Sequence, residues 1–297
     1  MTYKVLITGG NGFIGKVLVS GFKGALTLGR HNENQIICDL SNQTPTFYEN
    51  FDIIIHNAGK AHSIPNNKIE EQEFFDVNTK GTQNVLNSIE PFKNKIKQFV
   101  LISTVAVYGL ETGKNINENS PLKGNTPYAL SKIEAEKLVW EWGKKNNIPT
   151  LIFRLPLVVG ENPPGNLGRM IEGIRKGKYF RLKKGKARRS VFFADDLNEI
   201  IKKNIGKFGI YNLTDGINPS FFEIERKICQ KLNVKDPKEI PIFLAVLLSK
   251  LGDIFKKVPF NSSSYLKMTN DLTFDSSRAE IDLNFKPTNA IDHLNIN

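Results

Sequence analysis

Thr8-Gly9-Gly10-Asn11-Gly12-Phe13-Ile14-Gly15 follows directly on the short apolar run Lys4 to Thr8. Gly9, Gly12 and Gly15 are spaced G-x-x-G-x-x-G between that strand and a helix expected over Gly15 to Phe22. Glycine permits a tight turn there and lets backbone N–H groups of the helix N-terminus come close to a pyrophosphate. A glycine triplet alone is weak evidence. Its placement between an N-terminal strand and an amphipathic helix makes it a strong signal for dinucleotide binding.

Outward from this loop, strands and helices alternate. Ala25 to Leu28 and Gln35 to Cys38 are further strand candidates. Asp52 to Asn57 is almost continuously apolar, as expected of a strand buried on both faces. Val77 to Ile89 reads as a helix, Phe99 to Ser103 as a strand, Tyr128 to Lys145 as a helix and Thr150 to Arg154 as a strand. The alternation indicates βαβ units, so the expected class is α/β, a Rossmann-type doubly wound parallel sheet with a smaller C-terminal lobe. Beyond about residue 160 the pattern loosens at the loop Glu161-Asn162-Pro163-Pro164-Gly165-Asn166. We therefore expect residues 1–160 to form the dinucleotide-binding domain. Residues 161–297 are expected to form mainly a substrate lobe, with some segments returning to the sheet. A cleft between the two is the expected ligand site.

A chain of 297 residues with 40% hydrophobic and 24% charged residues suits a soluble globular protein. The N-terminus runs straight into a strand with no secretory pattern. Cys38 and Cys229 are too few and too far apart for a disulfide framework or a metal site, so a cytoplasmic setting and no metal are expected. The net charge of +11 is concentrated in residues 175–189, where nine of fifteen residues are Lys or Arg. No nucleic-acid-binding motif accompanies this run. Attraction of an anionic substrate and cofactor is the functional reading, beside a plain solvated surface. Pro241 to Val258 is apolar, but its uninterrupted run, Ile242 to Leu248, falls far short of the roughly 20 residues of a spanning helix. No membrane span is expected, and a packed or lid-forming helix is favoured over an interfacial anchor.

Tyr128-Ala129-Leu130-Ser131-Lys132 places a phenol and an ammonium on one helix face. A positive charge beside a tyrosine favours the phenolate, bringing its pKa down toward a useful range for proton transfer. For the cofactor, the end of the second strand reads Leu28-Gly29-Arg30, with no acid to hold ribose hydroxyls. Arg30 suits a 2′-phosphate, which favours NADP(H) while leaving NAD(H) open. Asp39 with Leu40 follows the third strand, where adenine contact is expected.

These motifs together resemble the extended short-chain dehydrogenase/reductase superfamily, in its nucleotide-sugar epimerase and 4-ketoreductase branch. The resemblance is carried by the opening through Gly15, His56-Asn57-Ala58-Gly59, Asn78, Ser103-Thr104-Val105-Ala106-Val107-Tyr108-Gly109 and Tyr128 with Lys132. Arg154-Leu155-Pro156 and Arg189 through Leu197 continue it. It implies Tyr128 as catalytic acid-base, with Lys132 lowering its pKa and holding the nicotinamide ribose. Thr104 would hydrogen-bond the sugar O4. The implied cofactor contacts are Gly9, Gly12, Phe13, Ile14, Gly15, Arg30, Asp39, Leu40, Asn57, Ala58, Gly59, Asn78, Ser103, Tyr128, Lys132 and Leu155. Lys60, His62, Asn166 and Arg189 would face the substrate, Arg189 on its diphosphate.

Sugar 4,6-dehydratases of this branch follow the catalytic threonine with Asp-Glu. Val105 and Ala106 stand here and cannot transfer protons, so dehydration is not expected. The resemblance leaves two reactions. One is NADPH-dependent reduction of a nucleotide-linked 4-keto-6-deoxy-N-acetylhexosamine; the other is NAD-dependent 4-epimerisation. Arg30 favours NADPH, the usual currency of reduction, and the Pro163-to-Leu167 loop and Arg188-Arg189-Ser190 resemble the reductases, as do the Pro241 helix and Phe274-to-Arg278. UDP is favoured over dTDP as carrier, and pairing through the Tyr128 helix into a homodimer is a family habit. Some members are non-catalytic dinucleotide-sensing regulators, against which the intact tyrosine–lysine pair argues.

Overall fold

The computed structural model describes residues 3–61, 63–182, 185–254 and 260–296. In chain order the strands are β1 (Val5–Thr8), β2 (Leu26–Gly29), β3 (Ile36–Ile37), β4 (Ile53–His56), β5 (Gln98–Thr104), β6 (Gly113–Ile116), β7 (Thr150–Leu155), β8 (Leu157–Val159), β9 (Phe180–Leu182), β10 (Val191–Phe193), β11 (Gly209–Asn212), β12 (Lys238–Ile240) and β13 (Leu272–Phe274). The α-helices are α1 (Phe13–Gly21), α2 (Lys68–Phe75), α3 (Gly81–Ile89), α4 (Pro127–Asn146), α5 (Gly165–Arg175), α6 (Asp196–Lys203), α7 (Phe221–Leu232), α8 (Ile242–Ile254), α9 (Ser262–Thr269) and α10 (Ser277–Leu283).

Seven strands form one sheet in the order β11-β7-β5-β4-β1-β2-β3, parallel throughout. The run Ile53-Ile54-Ile55 shows why β4 lies at its centre. A strand turns successive side chains to opposite faces, and each fully buried isoleucine contributes about 1.5–3 kcal/mol. Ile53 and Ile55 pack with Leu18 and Phe22 around α1 and with Leu197, Ile200 and Ile201 of α6. Ile54 packs on the other face with Val85, Leu86 and Ile89 of α3 and Val139 of α4. The chain winds outward in both directions from β1 and β4. Their C-terminal ends therefore flank a topological switch point, where such sheets bind ligands.

Residues beyond 160 contribute both to this sheet and to a separate core. β11 closes the edge beside β7, and β13 pairs in parallel with β6. Leu167, Met170, Ile171 and Ile174 of α5 pack with Ile224, Ile228 and Cys229 of α7 in a cluster of their own. β8 with β10 and β9 with β12 are two-stranded ribbons in this region.

Two expected elements differ in detail. The single helix expected over Val77 to Ile89 begins as a π-helical turn, Asp76–Lys80, before α3. The helix expected from Pro241 to Val258 spans Ile242–Ile254, and Val258 lies outside the described residues. α2 was not among the expected elements. Its sequence is mostly polar, and it is held by the Asn67 cap, whose side chain accepts from Glu70 N–H.

Candidate active site

The glycine loop is shaped by close backbone approach. Gly9 has φ +71°, and a Cβ there would meet the Ala58 backbone at 2.8 Å; one on Gly15 would meet the Gly9 carbonyl oxygen at 2.0 Å. Gly12 is different: a Cβ there would meet only the Gly9 oxygen, at 3.4 Å. Gly12 is the N-cap of α1, with no side-chain cap bond, and the first turn carries no acid. Its first N–H groups and the positive end of its dipole are thus left for an external anion. These residues fit a dinucleotide pyrophosphate. Phe13 and Ile14 form the first turn of this helix.

His56 locks the switch point from behind. Its Nδ1 lies 2.7 Å from Thr8 Oγ1 and its Nε2 2.9 Å from Thr82 Oγ1. Thr8 Oγ1 accepts from the Asn57 and Ala58 N–H groups, and Thr82 donates to the Asn78 carbonyl. The network assigns the Nε2–H tautomer of a neutral imidazole. Complete burial lowers the pKa to about 3, with nearby Lys132 acting in the same direction. Asn57 donates to the Gly9 carbonyl at 3.2 Å. Asn78 bonds both backbone groups of Lys60 and the Ser131 hydroxyl, pinning the 57–60 loop to α4. Gly59 is exposed beside it.

At the other end of the sequence set, Arg30 is exposed just past β2. Its charge helps to lower the pKa of Asp39, against a larger effect of burial and together with bonds from Ser41. The Asp39 carboxylate accepts from the Ser41 N–H and hydroxyl, and Leu40 beside it is buried.

Tyr128 and Lys132 lie on α4, which packs on the end of β5. Thr126 caps the helix and Pro127 opens it. The Tyr128 ring lies 6.1 Å from Phe74. Lys60, ion-paired with Glu73, sits over that same Phe74 ring. Burial raises the Tyr128 pKa above 10.0, and a hydrogen bond with Thr104 partly offsets it. This departs from the expectation that Lys132 draws the phenol down. The Lys132 ammonium donates to the Ile102 carbonyl at 2.8 Å instead. Thr104 is the last residue of β5 and its hydroxyl also accepts from Ala106 N–H, so it both caps and faces the phenol.

Lys132 is itself buried, which lowers its pKa from 10.5 to about 8 against an opposing pull from Glu136. Two opposite pH trends follow. The ammonium is lost from the folded protein as pH rises through about 8, so kcat/KM should fall across that point, reporting the free enzyme. Between about 8 and 10.5 the unfolded chain binds the proton and the folded chain does not, so this group makes stability rise with pH. A kcat/KM profile and a Tm series from pH 7 to 10 check both signs.

Behind Lys132 stands a buried network that motif reading missed. Glu136 accepts from Arg154 at 2.7 Å and from the Ser103 hydroxyl. Arg154 donates to Tyr108 Oη at 3.0 Å, and Tyr108 donates to Asn212 on β11 at 2.8 Å. Glu136 lies four residues past Lys132 on one helix face, a spacing that marked it in the sequence. Leu155 is buried beside Arg154 at the end of β7.

The expected substrate residues lie further along. Asn166, exposed at the start of α5, accepts from Arg169. Arg189 donates to the Arg188 and Asn270 carbonyls and stacks over Phe221. Its other terminal nitrogen is buried without a hydrogen-bond partner, and burial lowers its pKa to about 10. His62 lies outside the described residues. A cavity of about 870 Å³ is lined by Arg181, Lys186, Arg188, Phe222 and Glu239 among others. It lies wholly within the later half of the chain. Among the described residues no group of acidic, Cys and His side chains could hold a metal.

Comparison with known proteins gives this geometry a family. The chain is 32% identical over 194 residues to the N-acetyl-alpha-D-glucosaminyl-diphospho-ditrans,octacis-undecaprenol 4-epimerase of Escherichia coli O157:H7, a match spanning 62% of this chain and 57% of that protein's length. It is 26% identical over 299 residues to the GDP-6-deoxy-D-talose 4-dehydrogenase of Aggregatibacter actinomycetemcomitans, covering 95% and 97% of the two. The solved structure of RMD from Pseudomonas aeruginosa, complexed with NADPH, shares the fold with a TM-score of 0.70 at 20% identity, over 98% of this chain and 96% of that one. Residues 5–213 match the family model described as NAD dependent epimerase/dehydratase, and the chain belongs to that family of enzymes.

Proposed function

We propose that this protein reduces the C4 ketone of a nucleotide-linked 4-keto-6-deoxy-N-acetylhexosamine with NADPH, making a surface-polysaccharide precursor. The observation that carries the reading is the Tyr128–Thr104 pair. Burial keeps the phenol protonated at neutral pH, and Thr104 holds its hydroxyl. Val105 and Ala106 beside it supply no second acid or base for dehydration. NADPH held at the glycine loop and the α1 N-terminus would supply hydride to C4. Tyr128 then donates its proton to the C4 oxygen, completing the alcohol. Thr104 hydrogen-bonds that oxygen, and the Lys132 ammonium would hold the nicotinamide ribose. The orphaned Arg189 nitrogen suits a substrate diphosphate.

Residues 161–297 are read as mainly the substrate lobe, UDP as the carrier and the cytoplasm as the setting. Oxidation of NADPH at 340 nm with a UDP-4-keto-6-deoxy-N-acetylhexosamine tests the reading; no loss of absorbance sinks it. The 32% identity to a 4-epimerase supports a second reading, recycling of bound NAD in epimerisation. Conversion of UDP-GlcNAc to UDP-GalNAc without added cofactor would establish that one.

Cofactor choice rests on Arg30. Its exposure just past the end of β2 supports pairing with a 2′-phosphate. Arg30→Ala should raise KM for NADPH about tenfold or more, on the scale of one charge-assisted contact, with KM for NADH nearly unchanged. Equal effects on both cofactors would remove Arg30 from this role.

A further inference from the structure

α8 is built inside out. Ala245 and Ser249 are 1% and 2% exposed. Gly252 packs so closely that a Cβ would meet the Phe260 carbonyl oxygen at 1.9 Å. The large side chains point the other way, with Phe243 75%, Leu247 54% and Leu251 39% exposed. Spaced by four residues, these three form one apolar stripe along the helix. A helix packed on a soluble core turns its large apolar residues inward. Here the small residues face the protein, α9 being the helix that packs against this one.

The surroundings of the stripe carry an excess of cations, supplied by the run at 175–189. Lys250 is exposed on α8 itself near Asp253, and Lys235 and Lys238 just before the helix alternate with exposed Asp236 and Glu239. β12 leads directly into α8 and pairs with β9, with Lys238 beside Phe180 and Ile240 beside Leu182. β9 lies within the run of nine Lys and Arg in fifteen residues. Lys176, Lys178, Lys186 and Arg188 of that run are exposed. An apolar stripe bordered by cations suits the boundary between acyl chains and anionic headgroups. At 13 residues the helix is too short to span, and no helix among the described residues can cross a membrane. A second copy fits less well. Two-fold pairing would set the same basic border against itself.

We propose that α8 docks this lobe onto an anionic membrane surface. Phe243, Leu247 and Leu251 enter the acyl boundary, and Lys250, Lys238 and the exposed Lys178 and Lys186 on either side of β9 meet headgroup phosphates. The assignment stands apart from the C4 chemistry. The test is co-sedimentation of the full chain with vesicles of phosphatidylcholine and phosphatidylglycerol, against phosphatidylcholine alone. Binding to the anionic vesicles is expected to be at least about tenfold stronger, and Phe243→Ser with Leu247→Ser should reduce it at least about tenfold. Both side chains are exposed, so the double variant should keep its circular dichroism spectrum and its NADPH binding. Absence of binding by the unaltered chain, or equal binding by the folded double variant, would overturn the assignment. So would a dimer that the double variant turns into a monomer.

Discussion

Tyr128→Phe is expected to lower turnover of a 4-keto sugar by about 10²–10⁴-fold, the range for a positioned general acid. The fold should be nearly unaffected. The phenol's hydroxyl bonds the Thr104 side chain, and losing one such bond changes stability by about 1 kcal/mol. The ring keeps its contact with Phe74. Dinucleotide affinity should also persist, because the glycine loop and the α1 N-terminus lie on other elements. Single-turnover rates with NADPH, together with a fluorescence titration of the cofactor, separate the two effects. Undiminished turnover would remove Tyr128 as proton donor.

The largest stability effect is expected at Arg154. Arg154→Met leaves the Glu136 carboxylate buried without its ion partner, at a cost of about 3–5 kcal/mol, or a Tm lower by on the order of 10 °C. Both side chains of the pair are 4% exposed, so solvent screening does little to soften the loss. Replacing both, Glu136→Leu with Arg154→Met, should recover most of the loss, since an apolar pair of similar volume often matches a buried ion pair. Thermal unfolding of the three variants forms the cycle. If the single change costs under about 1 kcal/mol, the pair is not the fastening that its burial suggests.

The sheet was legible because its signals are local. The runs at Lys4, Asp52 and Phe99 each announce a buried strand, and Gly9 and Gly15 stand where backbone approach admits no side chain. What escaped depends on contacts distant in sequence. A return of later segments to the sheet was expected, but not that β11 would take the edge beside β7, since nothing within its four residues says so. Glu136 carried a readable spacing from Lys132, but its weight comes from Arg154 on another element. Lys132 follows the same logic: the motif implied a charge acting on Tyr128, whereas burial governs both groups. For α8, composition gave an apolar helix and could not say which face turned outward. The small residues at 245, 249 and 252 held that answer.

The pairing of β6 with β13 has a consequence in time. The Asn115 N–H donates to a Thr273 hydroxyl 158 residues later in the chain. Phe274 from the same late strand stacks on Tyr108, and Asn270 just before it holds Arg189. At roughly 5–20 residues per second of synthesis, the first 160 residues emerge on the order of ten seconds before these partners exist. During that interval the glycine loop, Tyr128 and Lys132 are all present, but the segment that holds Arg189 is not. A nascent chain thus has its glycine loop and the Tyr128–Lys132 pair synthesised well before the segment that fastens Arg189.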